Sequence, residues 1–316
     1  MVEKHILDLS IIIVNWNVRD MLAECLRSVE AYHGALEIEI IVVDSASTDD
    51  SVPMIERDFP GVKLLAQSEN VGFVRGNNIG LKAAAGRYLM LLNPDTVVHP
   101  FAVNKLVQYL EENPKIGIVG AHTLNTDGTH QSTRRRFPTL FTGMVESTWL
   151  QEILPDEMLN RFYVRDLPDD GTYEVDWVQG SALMARREVY AQIGGLDTAY
   201  TMYFEELDWC KRAKNAGWGV VYVGEAYITH HGGGSADQVQ TRKHVHFQHS
   251  KLKYFRKFHG LPAALLLRLV LITNYGLQVL IEGAKLLLRH KPDLRRERIR
   301  AYAVVLRSLL YAGEDV

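Results

Sequence analysis

The chain of 316 residues is long enough to bury the core of one large α/β domain with additional segments. Its 47 % hydrophobic and 23 % charged residues are typical of a globular protein, and a net charge of −3 argues against general nucleic-acid binding. The two cysteines, Cys25 and Cys210, lie far apart in helical patterns, so we expect neither a disulfide framework nor a zinc site. A reducing cytosol fits best, and the polar N-terminus predicts no signal peptide.

The first part of the chain alternates apolar runs with amphipathic helical patterns. Strands are predicted over residues 9–14, 39–44, 62–65, 87–95 and 117–120, with helices between them, among them 21–32 and 101–112. This alternation predicts a doubly wound, mostly parallel sheet with flanking helices and right-handed crossovers. No Gly-rich dinucleotide fingerprint follows the first strand, and the sequence contains no Walker motif.

The fourth predicted strand ends at the polar tip Asn93-Pro94-Asp95. Because ligands bind at the carboxyl ends of strands in open α/β sheets, Asp95 is expected at the binding edge. Pro94 cannot continue the strand and favours an extended Asn93, so the amide and the carboxylate can face one point. A hard divalent cation that holds a diphosphate needs such oxygen ligands, although an ordinary Asx-Pro turn would have the same sequence.

The regular pattern stops between residues 123 and 173, which are rich in Arg, Pro, Asp and Gly and are expected to form loops and a short helix used in recognition. Helices are predicted over 187–193, with Gly194 at its C-terminal cap, and from about residue 205, where three acids begin the helix. A short strand is predicted over 220–223, and residues 228–235 are expected to end the core.

Residues 261–288 are mostly apolar, but their longest uncharged stretch, 269–281, would rise only about 20 Å as a helix, short of a bilayer core of roughly 30 Å. A membrane-spanning helix is therefore not expected. Basic residues follow, and an apolar helix pair beside a basic cluster suits an anionic membrane surface. A helical hairpin packed on the domain or on a second subunit explains the pattern equally well, so both interpretations stay open.

Six spaced motifs carry a family resemblance. They are Val43-Asp44-Ser45-Ala46-Ser47-Thr48-Asp49, Asn70-Val71-Gly72-Phe73, Asn93-Pro94-Asp95, Gly194-Gly195-Leu196-Asp197, Phe204-Glu205-Glu206-Leu207-Asp208 and His230-His231-Gly232-Gly233. Over residues 8–260 the chain resembles glycosyltransferase family 2, and more narrowly its bacterial rhamnosyltransferase-like branch. The resemblance implies a GT-A domain, which we place over residues 1–260. The apolar and basic pattern that follows predicts a separate helical region over 261–316. The resemblance also implies a nucleotide-diphosphate-sugar donor, a divalent metal (Mg²⁺ or Mn²⁺) and inversion at the anomeric carbon.

The resemblance assigns one group of residues to the donor. Asp44 would meet the base or ribose, although it could also cap the next helix. Arg75, expected in a Gly-flanked loop, could bind the diphosphate or base or could be a solvated surface arginine. The full set of expected donor-binding residues is Asn15, Asp44, Asn70, Arg75, Asn93 and Asp95.

The expected metal ligands are Asp95 and a histidine, for which His230 is favoured over His231. Asn93 replaces the first Asp of the Asp-X-Asp motif found in many family members, which should weaken the metal site without abolishing it. Inverting transfer also needs a base near the acceptor hydroxyl. Glu206, in the second position of the acidic pair, is the expected base, while Glu205 and Asp208 would bond backbone or acceptor groups.

The acceptor side is expected to contain Trp177, Gln179, Gly180 and Ser181. The indole of Trp177 would suit a pyranose ring, or it could be an ordinary core residue. Arg135 and Arg136 could bind the diphosphate of a lipid-linked acceptor or could be solvated.

The functional hypothesis is therefore a metal-dependent inverting transferase of cell-surface polysaccharide synthesis. It would move a sugar, such as rhamnose from dTDP-rhamnose, to a glycan or a lipid-linked glycan, either in the cytoplasm or at the inner face of the cell membrane. The alternatives are transfer of a hexose from a uridine nucleotide and a non-catalytic subunit that binds nucleotide sugar or glycan. A nucleotidyltransferase is less consistent, because no Gly-rich triphosphate loop follows Val14. No nucleic-acid partner is expected, and a homodimer is left open.

Overall fold

The computed structural model describes residues 7–146, 148, 151, 156–232 and 240–311. These residues divide into two compact units. The first, here called the sheet unit, comprises the described residues within Met1–Phe137, Asn160–Thr201 and Glu205–Ser235. The second, the helical unit, comprises those within Pro138–Leu159, Met202–Phe204 and Ala236–Val316.

The secondary structure follows the predicted alternation through the first 112 residues. The strands are β1 (Leu9–Asn15), β2 (Ile38–Asp44), β3 (Lys63–Ala66), β4 (Tyr88–Leu92), β5 (Thr96–Val98), β6 (Ile116–Leu124), β7 (His130–Gln131), β8 (Arg134–Arg135), β9 (Tyr173–Glu174), β10 (Trp177–Val178), β11 (Ala182–Arg186) and β12 (Gly219–His230). The helices are α1 (Arg19–Tyr32), α2 (Ser51–Asp58), α3 (Gly72–Ala83), α4 (Ala102–Glu112), α5 (Leu140–Val145), α6 (Asp156–Tyr163), α7 (Arg187–Ile193), α8 (Glu205–Asn215), α9 (Gln240–His259), α10 (Leu261–Leu287) and α11 (Pro292–Leu310).

The central sheet has the order β3-β2-β1-β4-β11-β6-β12-β5. The first four strands in this order are parallel, and β6 and β12 are parallel to each other. β11 is antiparallel to both of its neighbours, β4 and β6, and β5 is antiparallel to β12. The mostly parallel sheet is thus confirmed. The alternation of strands and helices did not predict that β11 lies in the middle of the sheet. The chain returns there from a long irregular segment and not from a crossover helix.

The core lies on both faces of this sheet. Every residue of β1 and β4 is buried, as expected for strands covered by helices on both sides. Two glycines one turn apart in α3 bring that helix close to β1. A Cβ atom on Gly76 would lie 2.8 Å from the Val14 side chain, and one on Gly80 would lie 2.3 Å from the Ile12 side chain.

The segment expected to be loop and short helix contains β7, β8, α5, α6 and β9. Arg134 organises part of it from a buried position. Its guanidinium forms an ion pair with Asp169 at 2.9 Å and donates hydrogen bonds to the carbonyl oxygens of Val164 and Leu167 at 3.1 and 2.6 Å. This arginine therefore holds the segment together through the hydrogen bonds of its Nη2 atom.

In the helical unit, α10 and α11 form an antiparallel pair. Arg268 donates to the carbonyl oxygen of Leu309 at 2.7 Å, and Arg295 forms a buried ion pair with Glu282 at 2.7 Å. By length and composition alone, α10 is long and apolar enough to cross a bilayer. The prediction against such a helix, which used only the longest uncharged stretch, is therefore not confirmed.

Candidate active site

The tip after β4 lies where the sequence predicts a binding edge. β4 ends at Leu92, and Asp95 follows Pro94 with 5 % of its surface exposed. Strand β5 then begins at once, and its Thr96 pairs with His230 of β12. Because β5 runs antiparallel to β12, this register brings the last residue of β12 beside Asp95.

His230 faces Asp95 with one specific ring nitrogen. Its Nε2 lies 3.3 Å from Asp95 Oδ1, and its Nδ1 lies 2.7 Å from Gln131 Oε1. The Gln131 amide nitrogen donates to Asn125 Oδ1 at 2.9 Å, which leaves the Gln131 oxygen to accept from Nδ1–H. His230 therefore carries its proton on Nδ1, and the lone pair of Nε2 is directed to the side of Asp95. A histidine that binds a metal through Nε2 needs this tautomer.

Gln131 is a site residue that the sequence analysis missed. It lies 99 residues before His230 and reaches it because β7 folds back on β6. No motif marks it, so only the tertiary structure identifies it. The side chain of His231, by contrast, points to Glu24, with its Nε2 atom 3.7 Å from the Glu24 carboxylate. The contact of His231 with Asp95 is made by its backbone N–H, which donates to the Asp95 carbonyl oxygen.

The donor set fits a hard divalent ion in part. Two ligands at adjacent corners of an octahedral ion with bonds of about 2.1 Å lie about 3 Å apart, close to the Asp95–His230 distance. The Oδ1 atom of Asn93 is buried without a hydrogen-bond partner, and its amide nitrogen lies 3.2 Å from His230 Nε2. Within the described ranges, no group of three or more His, Cys, Asp or Glu side chains could hold a metal.

A short chain of contacts connects this tip to the acidic helix. The Asn93 N–H donates to the Ser181 carbonyl at 3.0 Å, just before β11. The preceding residue, Gly180, packs on Glu206, since a Cβ atom built on it would lie 3.6 Å from Glu206 Cβ. Ser181 is buried and its Oγ has no hydrogen-bond partner. Asp95, His230 and Glu206 thus belong to one edge of the sheet unit.

The three acids at the start of α8 have different surroundings. Asp208 is fully buried and bonded to Arg212 Nε at 2.5 Å and to the Tyr200 hydroxyl at 3.3 Å. Glu205 is 4 % exposed, whereas Glu206 is half-buried, and each has a buried Oε2 atom without a hydrogen-bond partner. As predicted, Glu205 and Asp208 share the inner face of α8, and Glu206 points elsewhere.

Burial changes the acidity of the glutamate pair. Desolvation raises the pKa of Glu205 well above its ordinary value, and the neighbouring charge of Glu206 raises it further. Desolvation also raises the pKa of Glu206, although backbone hydrogen bonds and the positive charge of Arg135 oppose the shift. Two adjacent carboxylates with raised pKa values are suited to holding and releasing a proton.

The residues expected on the donor side lie at the ends of β1 and β2. Asn15 donates to Asp44 Oδ2 at 2.7 Å, and the Ser47 N–H donates to Asp44 Oδ1 at 2.9 Å. Asp44 does not cap α2, whose N-cap position is Asp50. The Asn15 Oδ1 atom is buried without a hydrogen-bond partner, so one acceptor at this position is available to a ligand.

Asn70 and Arg75 border the same region. Asn70 Oδ1 accepts hydrogen bonds from Ser45 Oγ at 3.1 Å and from the Gly72 N–H at 2.9 Å, so it orders the turn that leads into α3. Arg75 is exposed in the first turn of α3, and the prediction of a loop around it is wrong. The helix begins directly at Gly72, which has a positive φ of 74°.

On the expected acceptor side, β10 pairs with β8, which places Trp177 opposite Arg135. The Trp177 indole donates to the Arg136 carbonyl at 3.1 Å. Arg135 is buried, stacks its guanidinium 4.6 Å from the Tyr163 ring centre and lies close enough to Glu206 to affect its pKa. It is therefore not a solvated loop residue.

Two other residues of this group are bound to the same segment. Arg136 is half-buried and donates to the Glu174 carbonyl at 3.4 Å. The Gln179 N–H donates to the Thr133 carbonyl at 2.9 Å. These contacts fix the backbone that leads to Gly180 and Ser181.

The family model described as "Glycosyl transferase family 2" matches residues 10–194, more than half of the chain. The chain belongs to glycosyltransferase family 2. The match includes the donor-side residues and the Asn93-Pro94-Asp95 tip, and it ends just before α8. The family resemblance given by the six motifs is thus confirmed.

The curated proteins that this chain resembles include two rhamnosyltransferases. The N-acetylglucosaminyl-diphospho-decaprenol L-rhamnosyltransferase of Mycobacterium tuberculosis is 28 % identical over 205 residues, which cover 61 % of this chain and 66 % of that protein. Rhamnosyltransferase WbbL of Escherichia coli is 25 % identical over 171 residues, which cover 51 % of this chain and 61 % of that protein. The chain therefore spans slightly less than two thirds of these relatives, and the rhamnosyltransferase-like branch is supported.

A solved structure confirms the fold. Mannosyltransferase PcManGT of Pyrobaculum calidifontis, determined with GDP-Man and Mn²⁺, has a TM-score of 0.57 at 16 % identity, with 98 % of this chain and 89 % of that chain covered. At this identity the likeness establishes the fold alone. The chain thus has the GT-A-type architecture expected for family 2.

Proposed function

We propose that this protein is an inverting, metal-dependent glycosyltransferase that moves a sugar from a nucleotide-diphosphate donor to a glycan or a lipid-linked glycan. One observation carries the proposal: a single sheet edge holds Asp95 beside His230 and, through Ser181 and Gly180, continues to Glu206. A carboxylate–imidazole pair on one side and a half-buried glutamate on the other supply the two functions that inverting transfer needs.

Asp95 and His230 would hold a Mg²⁺ or Mn²⁺ ion, with the Asn93 amide oxygen as a neutral candidate ligand. When bound, the ion would neutralise negative charge on the departing diphosphate. Gln131 would keep His230 in the required tautomer by accepting a hydrogen bond from the Nδ1–H group. Because Asp95 supplies the only carboxylate of the tip, we expect weaker metal affinity than in a site with two carboxylates.

Glu206 would act as the general base. As the acceptor hydroxyl oxygen forms its bond to the anomeric carbon, the bond from that carbon to the diphosphate oxygen breaks, and the hydroxyl proton passes to the Glu206 carboxylate. Attack from the face opposite the departing diphosphate inverts the configuration. The unpartnered Oε2 of Glu206 and its raised pKa support this role. Glu205, more deeply buried, would keep the pair singly charged.

Asp44 and Asn15 would bind the base or ribose of the donor, since the free Asn15 Oδ1 can accept one further hydrogen bond. Arg75, exposed at the start of α3, would reach the diphosphate. The rhamnosyltransferase relatives favour dTDP-rhamnose as the donor. Trp177, Gly180 and Ser181 would line the sugar and acceptor side.

The name of the mycobacterial relative includes a diphospho-decaprenol, which favours a lipid-linked acceptor for this chain too. Arg135 is buried, so it would not bind the diphosphate of such an acceptor at the surface. Its positive charge would instead lower the pKa of Glu206. The reaction would take place in the cytoplasm, at the inner face of the cell membrane, as a step of cell-surface polysaccharide synthesis.

Calorimetric titration with dTDP-rhamnose, UDP-glucose and UDP-galactose, each with Mn²⁺ and with chelator, tests the proposal. We expect metal-dependent binding of dTDP-rhamnose that Asp95→Ala abolishes. Gln131→Met should weaken Mn²⁺ binding, measured directly by electron paramagnetic resonance, by about tenfold, since loss of an outer-shell partner costs roughly 10- to 100-fold. His231→Ala is the matched control and should leave Mn²⁺ binding unchanged.

The outcomes are distinct. Equal binding with and without chelator would overturn the metal assignment. Preferential binding of a uridine-nucleotide sugar would assign another hexose, in place of rhamnose, as the sugar that is transferred. Failure to bind any of the three donors, together with no transfer activity, would favour a non-catalytic subunit.

A further inference from the structure

Helix α10 presents an apolar face to the outside of the helical unit. Leu265, Leu269 and Leu280 are 53, 60 and 71 % exposed, and Leu287 and Leu288 at its end are more than 80 % exposed. On a helix of 3.6 residues per turn these positions fall on one side. Between them the same side contains Leu266, Thr273, Gly276, Leu277 and Ala284 and no charged residue. A contiguous exposed apolar surface of this length marks an interaction site.

The three charged residues of α10 are paired. Arg268 donates to a carbonyl oxygen of α11, Glu282 forms its buried ion pair with Arg295, and Lys285 lies 3.2 Å from Glu282. Glu282 is therefore buried and Arg268 is bonded to α11, whereas Leu267 and Leu271 pack inside and the leucines of the outward face are exposed. A helix that faced water would carry polar residues on its outward face.

The helical unit is also strongly basic. Residues 240–311 contain 15 Lys and Arg against three Asp and Glu, whereas the whole chain has 35 and 38. Next to the exposed end of α10, basic side chains project into solvent from Arg289, Lys291, Arg296, Arg298 and Arg300. An apolar strip bordered by exposed basic residues is complementary to a surface that is apolar inside and negatively charged outside.

We propose that the outward face of α10 binds an anionic lipid bilayer, with the helix lying in the interface and its leucines inserted among the acyl chains. A second copy of the chain is a poorer partner. An isologous contact through this face would offer the basic side chains no anionic partner on the facing copy, and the face offers almost no hydrogen-bonding groups. A spanning orientation would place the buried ion pair and the arginines of α11 within the hydrocarbon.

This inference extends the proposed function by naming a partner surface, and it is tested without donor or acceptor, so the two proposals fail separately. The measurement is flotation of the full-length protein with vesicles that contain phosphatidylglycerol and with vesicles of phosphatidylcholine alone. We expect flotation with the anionic vesicles. Leu269→Gln combined with Leu280→Gln should lower the binding constant by at least about tenfold, since both substitutions remove apolar surface that the bilayer would bury.

Glutamine removes apolar surface without adding a negative charge, and both positions are exposed, so the fold should be preserved; circular dichroism and thermal unfolding check this. Tyr32→Gln, which changes a 40 % exposed aromatic residue of α1, is the matched control and should float like the original protein. Absence of flotation with anionic vesicles, or equal flotation of the double variant, would overturn the proposal. A dimer in light scattering that the double variant dissociates would assign the face to a second copy instead.

Discussion

Glu206 differs from the two acids beside it in its access to solvent. Glu205 and Asp208 are buried, and Asp208 is already bonded to Arg212. Glu205 and Glu206 each have an Oε2 atom without a hydrogen-bond partner. A general base must meet an incoming hydroxyl, so the partial exposure of Glu206 favours it over the buried Glu205. The sequence alone could only rank the three acids by helical spacing and family resemblance.

Glu206→Gln should lower kcat by a factor on the order of a hundred or more, with little change in donor affinity, because the amide cannot accept the proton. Burial raises the pKa of Glu206 above the 4.5 of an ordinary glutamate, and a base works only when ionised. The acid limb of the kcat/KM profile should therefore lie above pH 4.5, with activity falling as the pH decreases through it.

Glu205→Gln is the control for this substitution, since it changes an adjacent carboxylate of the same size. Burial and the charge of Glu206 raise the pKa of Glu205 well above its ordinary value, so Glu205 is protonated where Glu206 ionises. We therefore expect the variant to keep measurable turnover and an acid limb close to that of the original protein. Normal turnover in Glu206→Gln would transfer the role of base to Glu205 or Asp208.

Among the elements, α8 depends on an ionic contact that positions the acids. Arg212 donates to the carbonyl oxygens of Ile193 and Gly195 at 2.6 and 2.7 Å, and Asp208 balances its charge at 2.5 Å. The helix that carries Glu206 is thereby bonded to the turn after α7. The Gly194-Gly195 motif thus has a structural reason, since Gly194 has a positive φ of 72° and caps α7.

Asp208→Asn should therefore act on stability more than on chemistry. Removing one partner of a buried ion pair typically costs about 3–5 kcal/mol, and the asparagine leaves Arg212 without its counter-charge. Chemical denaturation should show this loss in the free energy of unfolding, while kcat per folded molecule changes little. Asp20→Asn, an exposed acid on α1, is the control and should leave stability unchanged. A large fall in kcat with unchanged stability would give Asp208 a direct part in catalysis.

The elements also show what sequence patterns can predict. The strands β1 to β4 and helices α1 and α4 follow from long apolar runs and helical periodicity. β5 has only three residues, and β11 enters the sheet from an irregular segment. Neither strand therefore has a local sequence pattern that predicts which strands it pairs with. The pairing of Asp95 with His230 was expected from resemblance, but the supporting contact from Gln131 depends on a two-residue strand that no pattern identifies.

At the scale of the whole molecule, charge is unevenly distributed along the chain. The small net charge of −3 conceals a basic segment over 240–311, which is offset by an acidic remainder. Average composition therefore gave no indication of an electrostatic partner. The charges within the predicted helix led the sequence analysis to argue against a membrane-spanning segment, whereas the structure bonds Arg268 and Glu282 to α11 and leaves one face of α10 apolar and exposed.

This distribution predicts a specific salt dependence. If basic side chains near α10 contribute about 1 kcal/mol each at an anionic surface, raising the ionic strength should weaken binding to phosphatidylglycerol vesicles progressively, because the interaction falls off within a Debye length. The leucine contribution is apolar and should persist in salt. Flotation across a NaCl series should therefore show a steep loss followed by a residual level. The Leu269→Gln and Leu280→Gln double variant should lose that residual level and keep the steep part. A salt-independent association in the original protein would contradict the electrostatic contribution, since screening must weaken any exposed charge interaction.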